Sequence, residues 1–384
     1  MTIPGFTSTG SKRPEALFGS TSGNPIRCAR TDGCRVWDEQ GREYFDLVMA
    51  LGAVALGYGH PDVNAAAIEA VRAGVVGPLP HKMEQEVAER LTAVIPGCEA
   101  VRFLKSGAEA VAAAVRIART YTSRERVITC GYHGWLDWCQ KAAGVPSSVG
   151  SLRREVPFND TVALESGIDD FGPVAAVVIE PVVECEPNPE WLSIARDLTT
   201  KTGAVLIFDE IKTAFRVAAG GGSERYGITP DIAVLGKALG NGFPIAAVCG
   251  SEALMATVNQ TWISSTLATE FVSLGAARAV LDIYQREDVL GVLRSGGQQL
   301  FSGLDRIVGL LGEHRVVAKG IPEMCYLDFV NSNGSAEFAS LAADRGVIFK
   351  RNAYNFVSFA HNEADMIEIV ARLEETAEEV RRDC

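Results

Sequence analysis

The feature that most constrains this chain is a rhythm that starts near residue 100. Short apolar runs alternate there with segments of helical periodicity. "VRFLKSG" reads as a strand, "AEAVAAAVRIARTYT" as a helix and "RVITC" as a strand. "VAAVVIEP" is a nearly unbroken apolar strand, "PEWLSIARDLTTKTG" a helix stopped at Gly203, and "AVLIFDE" another buried strand; "IAVLG" and "IAAVCG" follow. Such alternation builds a mostly parallel sheet with helices on its faces. A strand covered on both faces loses the apolar–polar alternation, as "VAAVVI" does.

The expected class is therefore α/β, with a large domain over residues 75–284 and a small α+β domain over 285–384. Residues 1–74 are expected to form a segment joining the small domain. In that segment "CRVWDEQGREYFDLV" reads as a hairpin around "EQG", and "HPDVNAAAIEAVRAG" as a helix ending at Gly74. "KMEQEVAERLTAVIPG" is a second helix, stopped by Pro96 and Gly97. In the C-terminal part, "GVLRSGGQQLFSGLDRIVGLL", "SAEFASLAADRG" and "EADMIEIVARLEETAEEVRRD" read as helices, and "MCYLDFV" and "FVSFAH" as short strands. The glycine-rich "AAGGGSERYG" reads as a flexible loop.

Composition excludes several classes of function. A formal net charge of -12 argues against a nucleic-acid partner. No apolar run approaches the roughly 20 residues needed to cross a bilayer, and the opening residues lack an apolar core behind a basic start, so neither a membrane span nor a secretory signal is expected. The nine cysteines are scattered without a CxxC pair, which fits reduced thiols and a cytoplasmic protein. The five histidines show no HExxH spacing, so no metal is expected.

In open α/β sheets, ligands bind beyond the carboxyl ends of the parallel strands. Four groups collect there. "VVIEP" ends on Glu180, "LIFDE" on Asp209 and Glu210, "IAVLGK" on Lys237, and "VRFLKSGAEA" on Ser106 and Gly107 as it opens a helix. Alone, each has an ordinary role: a rim ion pair, a solvated lysine, a helix cap. Together they form a parts list for pyridoxal phosphate. A small-residue helix N-terminus suits a phosphate, a buried aspartate suits a protonated pyridine nitrogen, and a lysine can form a Schiff base. "CGYHGWLDW" supplies Tyr132 or Trp135 to stack on a ring, with core packing the alternative for Trp135 and Trp138. The P-loop pattern fails at Ala238, and no GxGxxG opens a helix after a strand.

With these residues in view, the chain resembles the class III, fold type I, pyridoxal-phosphate aminotransferases. "FDEIKTAFR", "PDIAVLGKALGNGFPIAAVCG", "KSGAEA" and "GYHGW" are similar to that family's ordered motifs, and the resemblance runs from "TDGCRVWDEQGREYFD" to "FVSFAHNEAD". It implies that Lys237 holds the cofactor covalently and that Asp209 pairs with the pyridine nitrogen. It places Ile211 on one ring face and Tyr132 on the other. Ser106, Gly107 and the Ala108 amide would hold the phosphate. Glu180 would lie behind the site, and His133 would support the Tyr132 and Asp209 region. Thr266 would reach the phosphate of a neighbouring subunit, implying a homodimer with shared active sites.

Within the family the chain resembles the glutamate-1-semialdehyde aminomutase and amino-sugar aminotransferase branch. It departs from the motifs at Ala108, where threonine is usual, and at Ala214, where glycine is usual. An arginine expected in the aminomutase lead-in falls near Ala16, with Arg13 off register, and Ala353 and Tyr354 stand where an acidic residue is expected. On those departures, the expected activity is an aminotransferase moving an amino group from an amino acid, L-glutamate by family likeness, to a keto sugar or other carbonyl compound. An intramolecular aminomutase is the alternative. A catalytically silent relative is a third reading, which intact Lys237 and Asp209 oppose. The acceptor pocket is expected among Leu51–Val54, Trp135, Asp137, residues 217–226 and Lys350–Tyr354, where Lys350 and Arg351 either meet an anionic substrate or are surface charges.

Overall fold

The computed structural model describes residues 2–19 and 23–382, which divide into two compact units. Among the described residues, one unit comprises residues 61–290 and the other those up to 60 together with those from 291 on. Among the described residues, three strands come first, β1 Cys28–Asp32, β2 Arg35–Asp38 and β3 Glu43–Asp46. The large unit holds β4 Ala100–Leu104, β5 Arg126–Cys130, β6 Arg153–Glu155, β7 Val174–Ile179, β8 Val205–Asp209, β9 Ile232–Leu235 and β10 Ala246–Gly250. Three more close the chain, β11 Val316–Ile321, β12 Met324–Phe329 and β13 Val347–Ile348.

The large unit is built on a seven-stranded sheet in the order β4-β10-β9-β8-β7-β5-β6. Strand β10 runs antiparallel to both its neighbours, β4 and β9, and the remaining pairs are parallel. Two antiparallel steps restore direction, so β4 points the same way as β9. The carboxyl ends of β4, β5, β7, β8 and β9 therefore share one rim. Every residue of β7 and β8 is buried, as their uninterrupted apolar runs require.

The helix Gly107–Thr122 lays Ala110, Val111, Ala114, Ile117 and Ala118 into the core formed with Val178, Ile207, Val234 and Val248. This is the i, i+3/i+4, i+7 stripe of an amphipathic helix. Full burial of each Val or Ile side chain contributes about 1.5–3 kcal/mol. Trp191, Leu192 and Ala195 of the helix Trp191–Thr202 fill the second core with Leu206 and Phe208. Gly203 ends that helix in the left-handed region at φ 70°.

The expected break at residue 74 falls instead at His60, and the helix Pro61–Ala73 belongs to the large unit. Its reason is close packing: Gly275 of the helix Phe271–Arg286 has no side chain, and a Cβ there would sit 3.1 Å from the Ala66 carbonyl oxygen.

The small unit contains the sheet β1-β2-β3-β13 and the β11-β12 hairpin. Phe45, Leu304, Leu327, Phe338, Phe349 and Leu373 meet in its core. "FVSFAH" forms no strand; only Asn355, just before it, bridges to Cys325. Its backbone is buried but pairs elsewhere: Phe356 N donates to Leu47 O and Phe359 N to Ala55 O. Met49, Ala50 and Leu51 are all left-handed, at φ 45°, 51° and 61°. Asp46 holds this turn, accepting from Val48 N, Met49 N and the Tyr58 hydroxyl.

Candidate active site

Lys237 follows β9 and Gly236 directly and stands in the left-handed region at φ 43°. A non-glycine residue in that region is uncommon and marks a position held by its surroundings. Burial lowers its amine from 10.5 to about 8, and the nearby charge of Lys212 pushes in the same direction. The carboxylates of Glu180 and Asp209 oppose that shift.

Asp209 is the last residue of β8 and is only 3% exposed. Its Oδ2 accepts from His133 Nδ1 at 2.8 Å, and its Oδ1 takes one long bond from Ile211 N at 3.3 Å. One oxygen is thus fixed and the other only weakly engaged. The His133 ring stacks near Trp138, 6.3 Å between centroids. Trp138 is buried in the core and takes the packing role, whereas Trp135 is exposed. Tyr132 is likewise exposed.

Glu180 follows β7 and is buried. Its Oε1 accepts from the Tyr132 amide at 2.5 Å, and its Oε2 pairs with the Lys212 ammonium. Gly131 makes room for it: at φ 103°, a Cβ on Gly131 would lie 2.6 Å from Glu180 Oε1.

Ser106 caps the helix Gly107–Thr122 in a capping box with Glu109. Its Oγ accepts from Glu109 N at 3.3 Å, and its own amide donates to Glu109 Oε2 at 2.9 Å. The hydroxyl is therefore already engaged. The amides of Gly107 and Ala108, in the first turn, have no acceptor within the helix. They form an anion cradle with small walls. A Cβ on Gly107 would meet Ile211 Cδ1 at 2.6 Å, and a Cβ on Gly134 would meet Ala108 Cβ at 2.7 Å. Ile211 and the 131–134 loop are thereby brought against the helix start.

These residues fit pyridoxal phosphate: an amide cradle for its phosphate, a buried carboxylate with one weakly used oxygen for its ring nitrogen, and an amine of lowered basicity. Thr266 stands in an exposed turn. That turn is tied to the cradle strand through Lys105, whose Nζ lies 2.7 Å from Oε1 of Glu270. Glu270 in turn caps the helix Phe271–Arg286.

Glu210 does not join the site. Fully buried, it accepts from Gly222 N and Ser223 N, each at 2.7 Å, and from the Thr213 hydroxyl. Burial pushes its carboxyl up. It clamps the glycine run, so "AAGGGSERYG" is a buried run at 220–223 leading into and forming the helix Gly221–Tyr226 rather than a flexible loop. Arg351 is also accounted for, donating to the carbonyls of Ala16, Glu15 and Ser332. Burial lowers the Lys350 amine.

Lys212 is the site residue that sequence reasoning missed. It lies in the quoted "FDEIKTAFR", but nothing local shows that it reaches a carboxylate on the neighbouring strand.

The family model for class-III aminotransferases matches residues 18–363. A glutamate-1-semialdehyde 2,1-aminomutase of Polynucleobacter necessarius subsp. necessarius is 34% identical, over 97% of this chain and 95% of that protein. A protein of the same name from Dichelobacter nodosus is 33% identical, over 96% and 95%. Among solved structures, the FumI protein of Sphingopyxis sp. MTA144 in its PLP internal aldimine form superposes with a TM-score of 0.90 at 25% identity, covering 96% of this chain and 92% of that one.

Proposed function

The chain belongs to the class-III aminotransferase family, and from that premise we propose that it uses pyridoxal phosphate to transfer an amino group between an amino donor and a carbonyl compound. The observation that carries this reading is the shared rim, where Lys237, the His133–Asp209 pair and the Gly107–Ala108 amides follow parallel strand ends.

When bound, the cofactor supplies an electron sink for the carbon losing its proton. The residues do the rest. Lys237 would hold the cofactor and, when its amine is free, would move a proton at its Nζ; an amine brought down to about 8 is part-neutral at physiological pH. Asp209, oriented by His133, would keep the ring nitrogen protonated. The Gly107 and Ala108 amides would hold the phosphate, with Ser106 organising the turn. Ile211 and Tyr132 would bracket the ring, Glu180 would steady Tyr132 through its amide, and Thr266 would complete the neighbouring site of a homodimer.

Two readings of the transfer have specific support. The curated relatives carry the aminomutase name, which favours an intramolecular exchange over the separate donor expected from the sequence. Ala16 and the Ala353–Tyr354 pair, standing where substrate-binding arginine and acidic residues are expected, support a separate donor such as L-glutamate with a keto-sugar or related acceptor. Incubating the protein with glutamate-1-semialdehyde alone decides between them: isomerisation without added donor establishes the mutase, and inertness combined with an amino-transfer half-reaction on L-glutamate establishes the aminotransferase.

A further inference from the structure

We infer that Lys212 is a positioning residue of this site: its ammonium, held on Glu180, fixes the carboxylate that carries the Tyr132 amide and keeps positive charge beside Lys237. The inference rests on the reading that Lys237 holds the cofactor.

Three observations lead to it. Glu180 is buried, and a buried carboxylate without a counter-charge is costly. Lys212 is the cation that the structure places on it, and the Lys212 side chain is itself only 15% exposed. The pair is thus built into the protein and is not a surface salt bridge of little consequence.

The geometry also joins three elements. Lys212 lies three residues beyond Asp209 in the turn after β8. Glu180 follows the adjacent parallel strand β7, and its other oxygen holds the backbone of Tyr132 after β5. One ion pair therefore couples the turn that carries Asp209 and Ile211 to the loop that carries Tyr132 and His133.

Third, charges of both signs act on the Lys237 amine. Lys212, Asp209 and Arg216 come from the turn after β8 and Glu180 from the end of β7, with His133 reaching Asp209 from the 131–134 loop. Of the two cations, Lys212 acts more strongly on the Lys237 amine. Removing Lys212 takes away a positive charge and leaves Glu180 uncompensated. Both changes favour the protonated amine.

The test compares wild type, K212M, K212R and K212M/E180Q as full-length holoproteins. The pH midpoint of the bound cofactor's visible band is titrated. In parallel, the Lys237 amine of the cofactor-free chain is titrated by trace acetylation and peptide mass spectrometry. K212M is expected to raise both midpoints by about one pH unit or more. K212R should restore them to near wild type, and K212M/E180Q should fall between. The double variant leaves no lone buried carboxylate, so it keeps the test open if K212M folds poorly. Midpoints unchanged in K212M, or in the double variant where K212M does not fold, would overturn the inference and leave Lys212 a packing residue. Borohydride reduction that places no cofactor on the Lys237 peptide would instead overturn the underlying reading, while the acetylation titration would still report the effect of Lys212.

Discussion

His133 Nδ1 lies 2.8 Å from Asp209 Oδ2, with both side chains buried. The imidazole fixes one carboxylate oxygen and leaves the other with one long bond, from the Ile211 amide. Charge preorganised in this way is worth about 10²–10³ in rate when removed. D209N is expected to lose at least that much in single-turnover amino transfer while remaining folded. H133A should lose less, because it removes orientation and leaves the charge. Rapid-mixing kinetics on both variants checks the order.

The lowered basicity of Lys237 makes a signed prediction. The folded-state value, about 8, lies below the ordinary 10.5, so between these pH values the unfolded chain binds more protons. Stability of the cofactor-free protein should therefore rise as pH climbs from about 8 to 10.5, and K237M should lack that contribution. Urea unfolding of both proteins across this window measures it. Cofactor capture should likewise speed up roughly tenfold per pH unit below 8 and level off above it.

Gly131 is required twice over, by its φ of 103° and by the Glu180 oxygen that a Cβ would approach to 2.6 Å. G131A is expected to cost about 1–3 kcal/mol. At Gly150 a Cβ would meet nothing within 4 Å, so G150A should stay within about 0.5 kcal/mol of wild type. Denaturant midpoints compare the two.

Because the Ser106 hydroxyl is spent in the capping box, its removal should act on the helix more than on the cofactor. S106A is expected to lose about 1 kcal/mol of stability, with cofactor affinity changed only a few-fold. Thermal unfolding and cofactor dissociation, measured on the same variant, separate the two effects.

The parts of this fold that were legible in the sequence were those set by local pattern. Strands β7 and β8 declare themselves through unbroken apolar runs, and Gly203 and Pro96 punctuate helices as their backbone chemistry dictates. The rim groups could be collected because parallel strands place their carboxyl ends together. What stayed hidden depends on distant partners. "FVSFAH" has strand composition, but its backbone is satisfied by Leu47 and Ala55 far away in sequence. The glycine run at 220–222 takes its order from Glu210, and Lys212 from Glu180, relations that no periodicity records. The helix Pro61–Ala73 reads correctly as a helix, but only its packing on Gly275 assigns it to the large unit.

The measurement that tests the central claim most directly is borohydride reduction of the purified, cofactor-loaded protein followed by peptide mapping. A reduced pyridoxal-phosphate adduct on the peptide containing Lys237, absent from K237A, is the predicted result. An adduct on another lysine, or a protein that takes up no cofactor under any loading condition, would contradict the account.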